Sequence, residues 1–594
     1  MAYKKLDKQG LQTLITAIKT YVDNRADQTA EQRYRDTMRE WFEANGSATA
    51  TPAQLTALCD QWYQLTRTEW DGYTRFYHPD KSAISEGVRG GDNARLTCNP
   101  STNSTHGQDD FAGNPLFVPT DVNWVMDNTT KTPLIESIEG ITCATTFTRI
   151  NPAKFVGVMQ MTGYHWWTEL SDSSDYYYEG YCSTKKTNYA HLEPLPEAVL
   201  PAGISTTGRT LLESAVSGKH GGVCQWVLHS KYMSDLTANN TMTSYSGGPT
   251  RTYVFSHNTS HTYADNTSTS KSQTNTYSGA TITDNAFLIL MARIKYASLT
   301  MDGIIQGCVN YSFQYNVAKG ETGVKRVLLT EAQANNVLVG SNMLIGNYTS
   351  TIDRGNEAAY SISGQGGYKV TSKTTVTISG VTYGAIYFDE APSTFNTVAN
   401  GATTSGTTYI SSFIWRTGSC DDILGNDGSP TNCTNGAEPA KLQGIEYMMG
   451  AYEVFADVIL NHFKEGDTYY YEPYVVRSVA NQSTSITANY VATGLRIPQA
   501  ASAGWYYIIY MGYKNGLYFA QRVGGSSTTY TRDGIHLGDN SESVYRVVQF
   551  YGASRYIAKS NGGMYCSADW NNIAYKTLDL ATRLSCNGNR GVYN

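Results

Sequence analysis

Side chains able to do chemistry are scattered along this chain of 594 residues. Its 10 histidines and 10 cysteines form no CxxC pair, no HExxH, no Walker loop and no nucleophile elbow. Cys59, Cys98, Cys143, Cys182, Cys224, Cys308, Cys566 and Cys586 stand apart and are expected to be reduced, buried thiols. Cys420 and Cys433 bracket a short loop and could pair outside a cell. His220 and His229 flank an apolar run at 223–228, where an isolated histidine beside aromatics reads as structural. CDDILGNDGSP sets Asp421, Asp422, Asn426 and Asp427 like part of a calcium loop, without the bidentate Glu that closes one. Asp109-Asp110 reads as solvated loop charge. Neither a metal, a cofactor nor a catalytic residue is expected.

One stretch has a different character. From Gln549 to Trp570 the chain reads QFYGASRYIAKSNGGMYCSADW, with Tyr551, Tyr556, Tyr565 and Trp570 on spacers of Gly, Ala, Ser and Asn. Large rings with few rotamers supply contact area, and small polar residues supply adaptable hydrogen bonds. That is the composition of a recognition surface; an ordinary β-rich region in which Tyr fills gaps has it too.

The rest of the composition narrows the field. A net charge of −6, a pI near 6.0 and no basic block argue against nucleic acid. No apolar run reaches the length of a membrane span, so no membrane insertion is expected, and MAYKKLDKQG lacks a secretory h-region. Synthesis and folding in a cytoplasm are expected.

These residues need elements to hold them. LDKQGLQTLITAIKTYVD (6–23) puts Leu11, Leu14, Ile15, Ile18 and Val22 on one helical face, and further helical segments are expected near 30–44 and from Thr51-Pro52 onward. Between Trp70 and Ile150 the pattern loosens into a long polar loop region. KFVGVMQMTGYHWWTEL (154–170) and GGVCQWVLHSKYMSD (221–235) read as strands, and 237–279 as a surface excursion. DNAFLILMARIKYASLT (284–300) predicts an interior helix. β-Branched runs in 324–390, among them Thr-Val-Thr-Ile, predict a small all-β unit. GIEYMMGAYEVFADVILNHF (444–463) is apolar enough for helix or strand.

Several of these segments together resemble a known family. FIWRTGSCDDILGNDGSPTN (413–432), GIEYMMGAYEVFADVILN (444–461) and ATRLSCNGNRGVYN (581–594) look like the C-type-lectin-like domains of phage tail proteins, including variable proteins diversified by retroelements. FVGVMQMTGYHWW, WVLHSKYMS and the helix leading to MDGIIQGCVNY resemble the front half of such a domain. The first helix resembles an opening of tail-associated proteins of gut-bacterial phages.

The resemblance implies an α+β fold: a C-type-lectin-like (formylglycine-generating-enzyme-like) domain with an N-terminal helical module and an inserted small all-β unit. The expected divisions are a helical attachment or oligomerisation module at 1–75, a loop-rich connector at 76–149, the first half of the lectin-like domain at 150–319, the β-rich insertion at 320–400 and the ligand-binding region at 401–594. It implies a tail-fibre or tail-tip adhesin on the virion, trimeric, mounted on other tail proteins by its N-terminal helices, and binding a bacterial surface protein or glycan. The contact residues it implies, ahead of Arg583-Leu584-Ser585, are Tyr551, Ser554, Arg555, Tyr556, Lys559, Asn561, Tyr565, Asp569, Trp570, Asn572 and Tyr575. Gly552, Gly562 and Gly563 are expected in turns, and Leu578, Leu580 and Leu584 in the core.

Two departures matter. Glu438-Pro439 is followed by Ala440 rather than the Asn of calcium-dependent sugar-binding lectins, and Cys566 and Cys586 lack the pattern of the sulfatase-modifying enzymes. Binding rather than catalysis is therefore expected. The alternatives are a tail-associated enzyme (a depolymerase or a cysteine-dependent oxidase) and a purely structural virion protein.

Overall fold

The computed structural model describes residues 70–100, 108–117, 119–126, 133–138, 156–172, 175–183, 189–195, 225–234, 244–248, 278–302, 304, 314–348, 360–388, 394–399, 406–421, 440–447, 450–476, 481–538, 544–546, 549–550, 564, 567–568 and 580–585, except 303. These residues are mostly β-strand, with two α-helices, Ile282–Tyr296 and Glu331–Asn336, among them. The expected α+β, C-type-lectin-like architecture with an N-terminal helical module is overturned. Residues 1–69, where the helical periodicity is strongest, lie outside the described residues. Inside them, apolar runs that fit either period fold as short strands. The run 444–463 contributes Ile445–Tyr447, Tyr452–Val454 and part of Val458–Glu465, interrupted at Gly450, whose φ of 118° no L-residue favours.

A twelve-residue strand, Val156–Trp167, is the spine of a ten-stranded sheet. Its first half pairs antiparallel with Gln225–Ser230 and Thr120–Met126, and its second half with Tyr176–Cys182 and His191–Leu195. Asp71–Tyr77 then pairs with Tyr176–Cys182 on one side and Val88–Gly91 on the other. So the region that reads as loop supplies strands to this sheet. At its opposite end Leu584–Ser585 lies between Ser278–Gly279 and Gln225–Ser230.

The helix Ile282–Tyr296 is buried on every side, as an apolar run without a polar face must be. Thr281 caps it, accepting from the Asp284 amide at 3.4 Å, and Asp457 accepts from the Ile282 amide at 2.8 Å. Its two buried cations are each matched. Arg293 pairs with Glu179, which also accepts from the Tyr518 hydroxyl at 2.8 Å. Lys295 donates to Asp109 at 2.5 Å and to Gln443 at 3.0 Å. Asp109 is therefore a buried partner of the helix and not a solvated loop charge; its side chain is 5% exposed. Around the helix one core joins Trp70, Phe111 and Phe117 to Val454, Phe519 and Leu580.

Six strands between 314 and 413 make a separate sheet, in the order Gln314–Asn316, Thr408–Phe413, Asn342–Asn347, Tyr368–Ile378, Val381–Phe388, Arg326–Leu329. It has its own core, with Val327, Ile345, Val370 and Ile410 fully buried. The short helix Glu331–Asn336, opened by a Thr330/Gln333 capping box, covers one side. It comes so close that a Cβ on Gly384 would stand 2.1 Å from the Ala334 Cβ.

The C-terminal region forms two more sheets. Seven strands run in the order Leu517–Val523, Gly504–Lys514, Gly534–Leu537, Ser567–Ala568, Gln549–Phe550, Tyr452–Val454, Leu580–Ala581. The hairpin Val458–Glu465/Thr468–Val475 carries a five-stranded sheet with Val544–Arg546, Val491–Ala492 and Ile497–Pro498.

Candidate functional site

All eleven expected contact residues, from Tyr551 to Tyr575, lie outside the described residues, as do Gly552, Gly562, Gly563 and Leu578. What is described is the frame around and between them. Gln549-Phe550 pairs antiparallel with Ser567-Ala568, residue 549 opposite 568 and 550 opposite 567. Ile535-His536 runs parallel to Ser567-Ala568, and Glu453-Val454 antiparallel to Phe550-Gln549. Leu580-Ala581 returns parallel to Tyr452-Glu453. Met564 and Leu580 are sealed in the central core at 0% and 1% exposure. The chain thus enters and leaves the candidate segment from two strands of one sheet that flank Tyr452–Val454.

Arg583 locks this frame to the rest of the molecule. Its Nε donates to Glu453 Oε1 at 2.7 Å and its Nη2 to Oε2 at 3.1 Å, a bidentate pair with side chains 4% and 3% exposed. Nη2 also reaches the Glu446 carbonyl at 2.8 Å, and Nη1 the Lys231 carbonyl at 3.5 Å. One guanidinium therefore ties the last strands to the strand at 452–454 and to the chain at 231 and 446.

Beyond Arg583 the polar network continues. The Glu446 carboxylate, wholly enclosed, accepts from the amides of Cys420 at 2.7 Å and Gly418 at 2.9 Å. Burial, reinforced by nearby Asp421, pushes its pKa up to about 7. Lys231 donates to Asp121 at 2.6 Å and stands 3.2 Å from Asp421. Burial alone would lower its pKa; Asp121, Tyr232 and Asp421 outweigh that and raise it. Asp421 also accepts from the Tyr232 hydroxyl at 2.8 Å and the Ser246 hydroxyl at 2.6 Å.

These contacts decide what the network can do. Asp421, read in the sequence as part of a possible ion loop, spends its oxygens on Tyr232, Ser246 and Lys231; Asp422, Asn426 and Asp427 lie outside the described residues. Among the described residues no group of three or more His, Cys, Asp or Glu side chains is placed to hold a metal ion. His229 is buried 3.3 Å from Asp284 and stacked on Phe287 at 5.8 Å, an internal packing role. The geometry is that of a clamp between chain segments.

The clamp is what sequence reasoning missed, although its members sit inside the quoted segments. Lys231 lies in WVLHSKYMS, Glu446 and Glu453 in GIEYMMGAYEVF, Arg583 in ATRLSC. Single charges within apolar runs are the available signal, since a charge in a core must find a partner. No protein-family model matches the chain, and no curated protein matches it.

Proposed function

We propose that this chain is an adhesin of a phage tail, which attaches the virion to a bacterial surface protein or glycan through residues 551–575. The observation that carries this reading is the bracketing of that segment. The strands before and after it, at 549–550 and 580–581, both pair with Tyr452–Val454, while Ser567–Ala568 within it pairs with Gln549–Phe550, and Arg583 ties this frame to the core. Tyr, Trp, Arg and small polar residues in between can change without altering the frame. The resemblance of 413–432, 444–461 and 581–594 to phage tail proteins adds to it. Affinity would come from Tyr556, Trp570 and Arg555 as anchors, multiplied by several copies on one particle, as a trimer mounted by the N-terminal segment would supply. The mode of action is binding, with no turnover.

The test replaces Arg555, Tyr556 and Trp570 together by Ala and measures adsorption to host cells beside thermal unfolding. Adsorption should be lost with the melting temperature within about 2 °C of the parent, as for surface changes. Retained adsorption, or a collapse of the melting temperature, overturns the reading. Diversification by a retroelement is a further part of the proposal, checked by a near-copy of the 3′ coding segment, differing at adenines, beside a reverse transcriptase gene.

A further inference from the structure

The hairpin Tyr368–Ile378/Val381–Phe388 reaches beyond the sheet that carries it. At its base Val370, Ala385, Ile386 and Phe388 are buried; from Thr374 to Thr382 every residue is exposed or half-exposed, Val381 at 51%. Its tip is the two-residue turn Ser379-Gly380, both with positive φ (51° and 80°), a geometry whose twist matches the strands. The register sets Val376 opposite Tyr383, Thr377 opposite Thr382 and Ile378 opposite Val381. One face of the arm is therefore Val376, Ile378, Val381 and Tyr383, and the other is threonine, with the Thr377 and Thr382 hydroxyls 3.2 Å apart.

Among the described residues the outer edge of the arm is unpaired beyond its base. Tyr368 and Lys369 pair with Met343 and Asn342, and Val370 exchanges backbone hydrogen bonds with Ser341 and Gly340, both 2.8 Å. Among the described residues no strand pairs with that edge from Thr371 to Ile378. Soluble proteins blunt such edges with charge, proline or a bulge in mid-strand. The one bulge here lies at the base, between Val370 and Ser372; beyond it Thr374 to Ile378 reads TTVTI, all β-branched, uncharged and free of proline, the composition from which strands add to strands. The nearest charge, Lys373, is turned away: its ammonium sits on the carbonyls of Ala334, Asn335 and Val337 at 3.3, 3.1 and 2.9 Å.

We propose that this edge pairs antiparallel with the same edge of a second copy of the chain, with the two-fold axis at Val376. The sequence is self-complementary about that point. On one face Val376 meets its own copy with Thr374 opposite Ile378 on either side, and on the other Thr375 falls opposite Thr377. Lys373 falls opposite Ser379, so no charge meets its like. The result is one four-stranded sheet with no uncharged edge left at its centre. This contact is independent of the binding segment at 551–575.

The full-length protein tests it by sedimentation velocity and by cross-linking. Val376→Lys sets two ammonium groups against each other at the axis and should halve the assembled mass, with unchanged circular dichroism and melting. Val376→Cys should give a disulfide-linked dimer on a non-reducing gel under mild oxidation. Thr375→Cys, which faces residue 377 rather than itself, should not, and the parent protein run alongside controls for the native thiols. An unchanged mass for Val376→Lys, or no linked dimer for Val376→Cys, overturns the proposal and gives the edge to a different occupant.

Discussion

Arg583 and Glu453 face each other as a fork and a carboxylate, 2.7 and 3.1 Å apart at the two contacts, with almost no solvent on either. The residues are 130 positions apart in sequence. Their pairing closes the C-terminal sheet and sets the frame for the segment before it. Such a pair adds little over a well-packed apolar one, but breaking it strands a buried charge.

Replacing Glu453 by Gln is therefore expected to cost about 3–5 kcal/mol of folding stability, the cost of an uncompensated buried cation. Arg583→Lys should lose stability as well, because an ammonium cannot make the two parallel contacts to Glu453. Urea unfolding of both variants decides the point; losses below about 1 kcal/mol would place the pair in solvent-like surroundings.

Glu446 predicts a pH dependence. Its pKa in the folded protein is raised to about 7, so between its unfolded value of 4.5 and 7 the native state holds a proton that the unfolded chain has released. Stability from this group is full below the unfolded value and is lost as pH rises through the folded one, on the order of 3 kcal/mol in all. Asp421 and Lys231 face the same carboxylate and act on it with opposite sign. Melting curves from pH 4.5 to 8 should show the decline, and Glu446→Gln should flatten it. A profile unchanged by that substitution would remove Glu446 as its source.

Gly180 offers a packing test. A Cβ there would come within 2.0 Å of the Trp166 indole, which itself stacks on Tyr189 at 4.1 Å with rings 6° from parallel. Gly180→Ala should cost about 1–3 kcal/mol through overpacking and displace the indole. A shift in tryptophan emission with lowered stability is expected. An unaltered spectrum would mean that the ring has room.

Met564 separates frame from face. It is wholly buried in the central core, inside the candidate recognition stretch. Met564→Ala should lose about 2–5 kcal/mol, as truncations in a core do. The triple change at Arg555, Tyr556 and Trp570 should leave stability alone. Equal losses for the two variants would show that the stretch is uniformly core.

The fold was legible where one periodicity was unmixed. The buried helix at 282–296 follows from the apolar run 284–300, and the strands at 156–167 and 368–378 follow from β-branched or aromatic runs bounded by turns. Asp71–Tyr77 was hidden because its faces do not differ in polarity: Gly72 and Thr74 share the buried face with Phe76, while Tyr73 and Tyr77 share the half-buried one with Asp71 and Arg75. Its main partner strand lies about a hundred residues away, beyond the reach of any local pattern. At the candidate site Leu580 was readable as core, whereas Met564, set among polar residues, was not. The clamp of Arg583, Glu453 and Glu446 needed the third dimension, since no spacing joins its members.

The position of Leu584-Ser585 between Ser278–Gly279 and Gln225–Ser230 has a consequence for biosynthesis. The large early sheet cannot complete its ladder until residues some three hundred positions downstream have left the ribosome. A nascent chain halted anywhere before them keeps an unfinished edge and stays open to proteases and chaperones. Synthesis through Ser585 thus precedes closure of the early sheet, so the 551–575 segment is already made when that sheet completes.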